Sequence, residues 1–316
     1  MKIISIIIPI YNEEKNIPLI YAEIKKVWED LKEKYNYEII FVDDGSADES
    51  IKEMEKLATK DAGVKTIEFS RNFGKEIATT AGINNSKGDA VIMLDADLQH
   101  PVDLIPKFLK KWEAGIDVVV GVRNQNKSDD FIKRFGSYVF YKLLNAISEV
   151  KVVPQATDFR LLDKIVVNEF NHLTEKDRIT RGLIDWLGFK REYIYFDANE
   201  RATGEASYSF IKLCKLAVVS FISLSLFPLR MAGYLGFFIM IFSGIFGIVM
   251  ILDRYFTNWG LTFSGTAILA NIILFLVGII LISLGLLAFY IGNIYKEVQG
   301  RPMYVVRRKP NKSETL

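Results

Sequence analysis

The sequence predicts an α/β fold with an open, mostly parallel sheet, followed by a two-helix transmembrane hairpin. Three observations carry this. Short apolar runs alternate with stretches of helical apolar spacing from Ile3 to Val120, the pattern of parallel strands joined by crossover helices. Polar clusters fall where the apolar runs end. Between Met231 and Tyr295 only Asp253 and Arg254 are charged, although charged residues make up 25% of the 316-residue chain.

The elements follow in order. Ile3–Pro9 is apolar on both faces, as a buried parallel strand is. Its shortness, the lack of a small-residue cleavage site and the Asn12-Glu13-Glu14 that follows argue against a signal peptide. Glu14–Lys34 reads as a helix through Ile17, Ile20, Ile24, Val27 and Leu31. Tyr37–Val42 is a strand, Asp48–Lys60 a helix and Val64–Phe69 a strand. Phe73–Ser86 is a helix closed by Lys87-Gly88. Ala90–Leu94 is a strand, Pro101–Ala114 a helix opened by its proline, and Asp117–Val120 a strand.

The composition then shifts. Phe210–Phe227 sets Lys212 and Lys215 among apolar residues, the make-up of a helix lying on a membrane surface. Met231–Leu252 is free of charge and reaches about 33 Å as a helix, and Phe263–Tyr290 is a second such run. Arg230 on one flank and Lys296, Arg301, Arg307 and Arg308 on the other predict that both termini are cytoplasmic. The expected organisation is an α/β domain over 1–206, a juxtamembrane helix over 207–230, two spans within 231–295 (about 231–252 and 263–290) and a basic tail over 296–316. The expected localisation is multi-pass in the cytoplasmic (inner) membrane. Gly244, Gly247, Gly278 and Gly285 would permit close helix packing, so a homo-oligomer is possible.

Charge and composition narrow the function. Forty basic against 38 acidic side chains give a net charge of +2, no footprint for nucleic acid. Mean hydropathy is +0.17. Cys214 stands alone, and His100 and His172 are the two histidines, so an intrachain disulfide is excluded and a zinc site disfavoured. A metal here would be a hard ion on oxygen ligands.

Ligands of open α/β sheets bind beyond the carboxyl ends of the strands. Tyr11-Asn12-Glu13, Asp43-Asp44, Asp95-Ala96-Asp97 and Gly121-Val122-Arg123 all stand at such ends. Alternate residues of a strand end share a face, so Asp95, Asp97 and Gln99 point one way. Two carboxylates and an amide oxygen suit Mg2+ or Mn2+; a solvated acidic turn is the plainer alternative. Asp43-Asp44-Gly45-Ser46 either meets a nucleoside or caps the next helix. Tyr11 offers a stacking face and Glu13 a nucleoside contact, with Asn12 as a helix N-cap. Arg71 and Lys75 lie where a helix N-terminus would meet phosphate. Thr157-Asp158-Phe159-Arg160 sets an acid and a base around an aromatic ring, and Arg123, Arg160, Arg181 and Arg201 suit bidentate phosphate contacts.

In this order, IIIPIYNE (6–13), FVDDGSAD (41–48), SRNFGK (70–75), MLDADLQHP (93–101), VGVR (120–123) and ATDFRLLD (156–163) resemble the motifs of inverting family-two glycosyltransferases of GT-A fold. Arg201-Ala202-Thr203-Gly204 before the apolar runs, and IYKEVQGRPMY (294–304) after them, are similar to the polyprenyl-phosphate branch, which includes dolichol-phosphate mannose synthases and bactoprenol glucosyltransferases. The resemblance implies transfer of a sugar, glucose from UDP-glucose first, to undecaprenyl phosphate with inversion. GDP-mannose, UDP-N-acetylhexosamine and UDP-amino-arabinose remain alternative donors, and a non-catalytic nucleotide-sugar-binding protein is the alternative of another class. Residue by residue, it implies Pro9, Tyr11, Glu13 and Asp44 around the nucleoside. Asp95, Asp97 and Gln99 go to a Mg2+ or Mn2+ ion and the diphosphate, Asp158 to the place of the catalytic base, and Arg123, Arg160 and Arg201 to phosphates. Asp158, Asp97 and Arg160 are thus the expected catalytic set. The chain departs from the family at His100, where Asp is frequent, and at Ala206-Ser207-Tyr208, where Ser-Lys-Tyr is frequent. It lacks the Gln-x-x-Arg-Trp pattern of processive synthases.

Overall fold

A computed structural model describes residues 1–124, 153, 155–176, 178–197 and 265–308. The chain divides into two compact units, Met1–Ser209 with Arg301–Leu316, and Phe210–Gly300.

The first unit is built on an eight-stranded sheet. Its elements in chain order are β1 (Lys2–Ile10), α1 (Asn16–Glu29), β2 (Tyr35–Asp43), α2 (Ser50–Lys60), β3 (Val64–Phe69), α3 (Lys75–Asn84), β4 (Ala90–Met93), a 3-10 turn (Val102–Leu104), α4 (Ile105–Glu113), β5 (Val118–Arg123), β6 (Ala156–Asp163), α5 (Lys164–His172), α6 (Thr180–Trp186) and β7 (Arg191–Phe196). The strand β8 (Val306–Arg308) closes the series. Strand order is β7-β5-β6-β4-β1-β2-β3-β8. β4, β1, β2 and β3 are mutually parallel, and β5 pairs parallel with β7. β6 runs antiparallel between β4 and β5, and β8 antiparallel to β3.

β1 shows why the centre of the sheet is apolar on both faces. Ile4, Ile6, Ile8 and Ile10 enter a core with Ile17, Ile20 and Ile24 of α1 and Phe108 and Leu109 of α4. Ile7 enters the opposite core beside Val91 and Met93. Several boundaries differ from expectation, and those of α3 bear on the site. α3 begins at Lys75 rather than Phe73, because Gly74 has a positive φ of 102° that no helical residue has; the Phe73 and Gly74 N–H groups donate to the Asp44 carboxylate. α3 ends at Asn84, before Gly88, which lies under β1: a Cβ there would stand 2.7 Å from the Ser5 amide nitrogen and the Ala90 carbonyl.

Of the second unit, the helix α7 (Gly265–Val298) is described; it overlaps the expected apolar run 263–290. The expected placement as a multi-pass protein of the cytoplasmic membrane is corrected: among the described residues no helix is long and apolar enough to cross a membrane. The run 231–252 lies outside the described residues, as does the amphipathic stretch 210–227. Within α7 the side chains described include Thr266, Ser283, Asn293 and Glu297 beside exposed Leu269, Ile280 and Leu284.

Candidate active site

The carboxyl ends of β1, β2 and β4 open onto a cavity of 490 Å3 lined by Pro9, Tyr11, Glu13, Asp44, Lys75, Asp95 and Asp97, among others. Its walls are three loops tied by side-chain-to-backbone hydrogen bonds. Asn12 has a left-handed backbone, φ 56°, and its Oδ1 accepts the Ala47 N–H at 2.8 Å. In return the Asn12 N–H donates to Ser46 Oγ, and the Glu13 N–H to Ser50 Oγ, both at 2.9 Å. Asn12 therefore ties two loops together and is not the N-cap of α1; that position is held by Lys15. Asp43 closes its own turn by accepting the Gly45 and Ser46 N–H groups. Asp44 reaches across to the third loop, accepting the Phe73 N–H at 2.6 Å and the Gly74 N–H at 2.9 Å. Gly45 makes this approach possible. Its φ is +72°, and a Cβ would stand 2.6 Å from the Arg71 carbonyl carbon.

A second cavity, of 280 Å3, adjoins the first through Asp95 and is lined by Gln99, His100, Arg123, Thr157, Asp158 and Arg181, among others. Arg123 ends β5, and its N–H donates to the Gln155 carbonyl at 3.0 Å. Thr157 Oγ1 donates to the Gly121 carbonyl and accepts the Phe159 N–H, fixing the start of β6. Arg181 stands in the first turn of α6. Glu76, next to Lys75 on α3, accepts the Thr180 N–H at 2.8 Å, so the helices carrying Arg181 and Lys75 are pinned together.

Lys75 links the two cavities. Its ammonium lies 2.6 Å from Asp95 Oδ1 and 3.0 Å from Asp158 Oδ2. Burial would lower the Lys75 pKa, but the two carboxylates outweigh it and hold the value above the lysine range. Burial would raise Asp158, but Lys75, with Arg181 and Arg160, holds it below the usual carboxylate range. Asp158 thus stands as an anionic partner between Lys75 and the arginines. Glu13 behaves in the opposite way. Burial, with Asp97, Asp48 and Asp95 nearby, pushes its pKa up against the Asn16 hydrogen bond. His100 is buried and stacks on Phe159 at 5.3 Å between ring centroids. Burial lowers its pKa, against the pull of Asp95. Its Nδ1 accepts the Asp95 N–H at 3.4 Å, which in a neutral ring leaves the proton on Nε2.

The structure brings most of the expected residues together. Pro9, Tyr11, Glu13, Asp44, Asp95 and Asp97 line the first cavity; Asp95, Gln99, Arg123 and Asp158 line the second. Arg160 stands apart. Its side chain is 1% exposed and is not among the residues lining either cavity, donating to the carbonyls of Thr157 and Arg181 and pairing with Asp185 at 2.9 Å. Arg181, not Arg160, presents the guanidinium at this rim. Arg201 lies outside the described residues. Lys75 carries more of the site's charge balance than its motif conveyed, and the Gly74-Lys75 helix start was the signal for it.

Among the described residues no group of three or more His, Cys, Asp and Glu is arranged to hold a metal. Asp95 and Asp97 still match the chemistry of Mg2+, which takes one or two carboxylates and completes its shell with substrate phosphates. Lys75 on Asp95 marks the place as one that holds positive charge.

Residues 5–170 match the family model described as glycosyl transferase family 2. The chain belongs to that family. As a family-two glycosyltransferase it is 40% identical to the putative glycosyltransferase CsbB of Bacillus subtilis over 312 residues, 98% of this chain and 93% of that one. It is 38% identical to the bactoprenol glucosyl transferase of Shigella phage SfX, over 97% of this chain and 99% of that one. Among solved structures it is similar to glucosyl-3-phosphoglycerate synthase from Mycobacterium tuberculosis, solved with Mg2+ and uridine diphosphate. The TM-score is 0.52 at 19% identity, over 71% of this chain and 79% of that one, a likeness of fold.

Proposed function

We propose that this glycosyltransferase moves a sugar from a nucleotide donor to a polyprenyl phosphate. The observation that carries the reading is the pair of cavities sharing Asp95, one edged by carboxylates and an aromatic ring, the other by Arg123 and Arg181. The first suits a nucleoside diphosphate and the second an anionic acceptor. The near full-length likeness to a protein named bactoprenol glucosyl transferase supports a polyprenyl acceptor and glucose as the sugar; UDP-glucose is the donor this reading puts first.

In this reading Pro9, Tyr11, Glu13 and Asp44 surround the nucleoside. Tyr11, half-exposed, offers its ring for stacking. Asp44 shapes that wall through its hold on Phe73 and Gly74. Asp95, Asp97 and Gln99 would hold Mg2+ or Mn2+, which supplies positive charge against the leaving diphosphate. Arg123 and Arg181 screen the acceptor phosphate from the donor's charge, and Arg160 holds α6 in place through Asp185. Arg201 is the remaining candidate for a phosphate contact. The acceptor oxygen attacks the anomeric carbon as the bond to the diphosphate breaks, which inverts that carbon. A monoester phosphate is largely dianionic at neutral pH, so no base is needed to create the nucleophile. Asp158 then serves to anchor Lys75 and Arg181.

The test is transfer from a panel of labelled nucleotide sugars to undecaprenyl phosphate, with Mg2+ or Mn2+ and with Asp97→Ala as control. Metal-dependent product from one donor, lost in Asp97→Ala, is the expected outcome. Nucleotide binding without product from any donor would favour the non-catalytic reading.

A further inference from the structure

The segment that follows Gly300 returns to the sheet edge beside the donor cavity. β8 pairs with β3 through Glu68 with Arg308 and Phe69 with Val306, and the register shifts between them. The ladder extends into the site loop, because the Ser70 N–H donates to the Val305 carbonyl at 2.9 Å. Tyr304 stacks on Phe69 with centroids 5.0 Å apart and planes 20° apart. Phe69 in turn meets Phe73 edge-on at 5.5 Å, and the Arg71 guanidinium covers Phe73 at 4.0 Å. Tyr304 and Val306, like Phe73 and Ile77 at the start of α3, pack on the small core that holds Val42, Ile67, Phe69 and Ala78. Arg307 adds an ion pair to the buried Glu68 at 3.2 Å.

Loop 70–74 is the wall of the donor cavity that Asp44 grips, and Lys75 follows it directly. On one side this loop is held by the Asp44 carboxylate. On the other it rests on Tyr304 and Val305, more than two hundred residues away in sequence. We propose that the strand at 304–308 is a positioning strap for the donor site: its tyrosine and its backbone hold loop 70–74, and through it Lys75, in the geometry that receives the nucleotide. No strap residue lines either cavity among those named for them, so it acts through the loop. Tyr304 is the positioning residue because its ring sits on the one aromatic pair that joins β3 to the loop.

The test uses the full chain and two readouts. The first is hydrogen exchange of the peptide 69–75 in Tyr304→Ala, with Tyr304→Phe as the conservative control. Loss of one stacked aromatic face is expected to speed exchange at Phe73 and Gly74 by about fivefold, while Tyr304→Phe and the β1 amides stay as in the wild type. The second is uridine diphosphate titration in the presence of Mn2+, where Kd is expected to rise by about the same factor in Tyr304→Ala alone. Arg307→Ala, an exposed change, provides a milder loosening should Tyr304→Ala fold poorly, with a smaller shift in the same direction. Free exchange at 304–308 together with unchanged exchange at 69–75 would overturn the strap. The effect on nucleotide affinity rests on the donor-site reading, whereas the exchange pattern does not. A wild type that binds no nucleotide would therefore sink that reading and leave the strap to be judged by exchange.

Discussion

The two cavities that share Asp95 are held in place by different means. Around the cavity proposed for the donor, carboxylates, hydroxyls and an amide bind backbone. Asp43 closes its own turn, Asp44 grips the next loop, and Asn12, Ser46 and Ser50 lace the first two loops together. Where that cavity meets the one proposed for the acceptor, charges bind charges: Lys75 with Asp95 and Asp158, and, lining neither cavity, Arg160 with Asp185. A wall built on backbone bonds keeps its shape whatever fills the cavity. A wall built on ion pairs has a geometry tied to its charge balance, and an arriving phosphate or cation enters that balance directly. Substitutions on the donor side should therefore move stability and binding together. On the acceptor side the two should separate.

The largest separation is expected between two arginines that the sequence offers alike as phosphate contacts. Arg160→Ala removes a buried guanidinium and leaves Asp185 facing Arg191 alone, at 3.3 Å. Breaking a buried pair costs about 3–5 kcal/mol, and Arg191 keeps the expected loss near the lower end, read as a fall in the denaturant midpoint. Arg181→Ala should leave that midpoint within error and raise the KM for the lipid phosphate about tenfold or more. Equal stability losses in both variants would erase the distinction between a supporting and a contacting arginine.

That distinction was out of reach of sequence reasoning, and the reason is physical. Strand ends were legible because buried parallel strands are apolar throughout, so the first polar residues after them, at Tyr11, Asp43, Asp95 and Arg123, mark the rim. β6 was not legible as a strand. Its Asp158, Arg160 and Asp163 interrupt the apolar pattern, and it runs antiparallel between β4 and β5. That reversal puts the start of β6, with Asp158, at the rim, and Arg160, two residues on along the same face, lies deeper and meets Asp185 of α6. Which arginine faces the cavity depends on the sheet order. Asn12 failed as a cap for a similar reason, since its partner Ala47 belongs to another loop. β8 has three residues and too little pattern to announce itself.

Lys75→Met comes next in size. It would leave the Asp95 and Asp158 carboxylates without the cation between them. Turnover should fall about a hundredfold, with little change in melting, since Lys75 is half-exposed and its loss opens no cavity. Asp158→Asn should lose less, about tenfold, because the residue anchors and does not take a proton. A loss from Asp158→Asn as complete as that from Asp97→Ala would restore the role of base.

On the donor side, Asp44→Asn turns one carboxylate oxygen into an N–H2 group facing the Gly74 N–H. Losing a charge-assisted bond and gaining an opposed donor should cost about 1.5–3 kcal/mol. Nucleotide affinity should weaken in parallel, since the same bonds shape the cavity wall. A loss of affinity at full stability would mean that Asp44 contacts the nucleotide itself.

The smallest effect is expected at Glu38, which binds backbone as Asp44 does but lines neither cavity. It accepts Ser5 Oγ–H at 2.6 Å and the Lys87 N–H at 3.0 Å, and it pairs with Lys65. Burial would raise its pKa, but these partners together hold it below the ordinary value of 4.5. A carboxylate whose folded-state pKa is depressed contributes stability that is fully present above the unfolded value and lost as the pH falls through the folded one. Glu38→Gln should therefore be less stable than the wild type by about 1 kcal/mol at pH 7, and the gap should narrow below pH 4.5 as the wild-type carboxylate takes up its proton. Turnover at pH 7 should not change. Denaturant unfolding of both proteins at pH 7 and at pH 3 checks the sign, and a gap that widens in acid would show that Glu38 is held protonated in the folded chain. A gap that narrows, with turnover intact, would show that a carboxylate gripping backbone is a general device of this sheet, which acquires a role in binding where a cavity adjoins it.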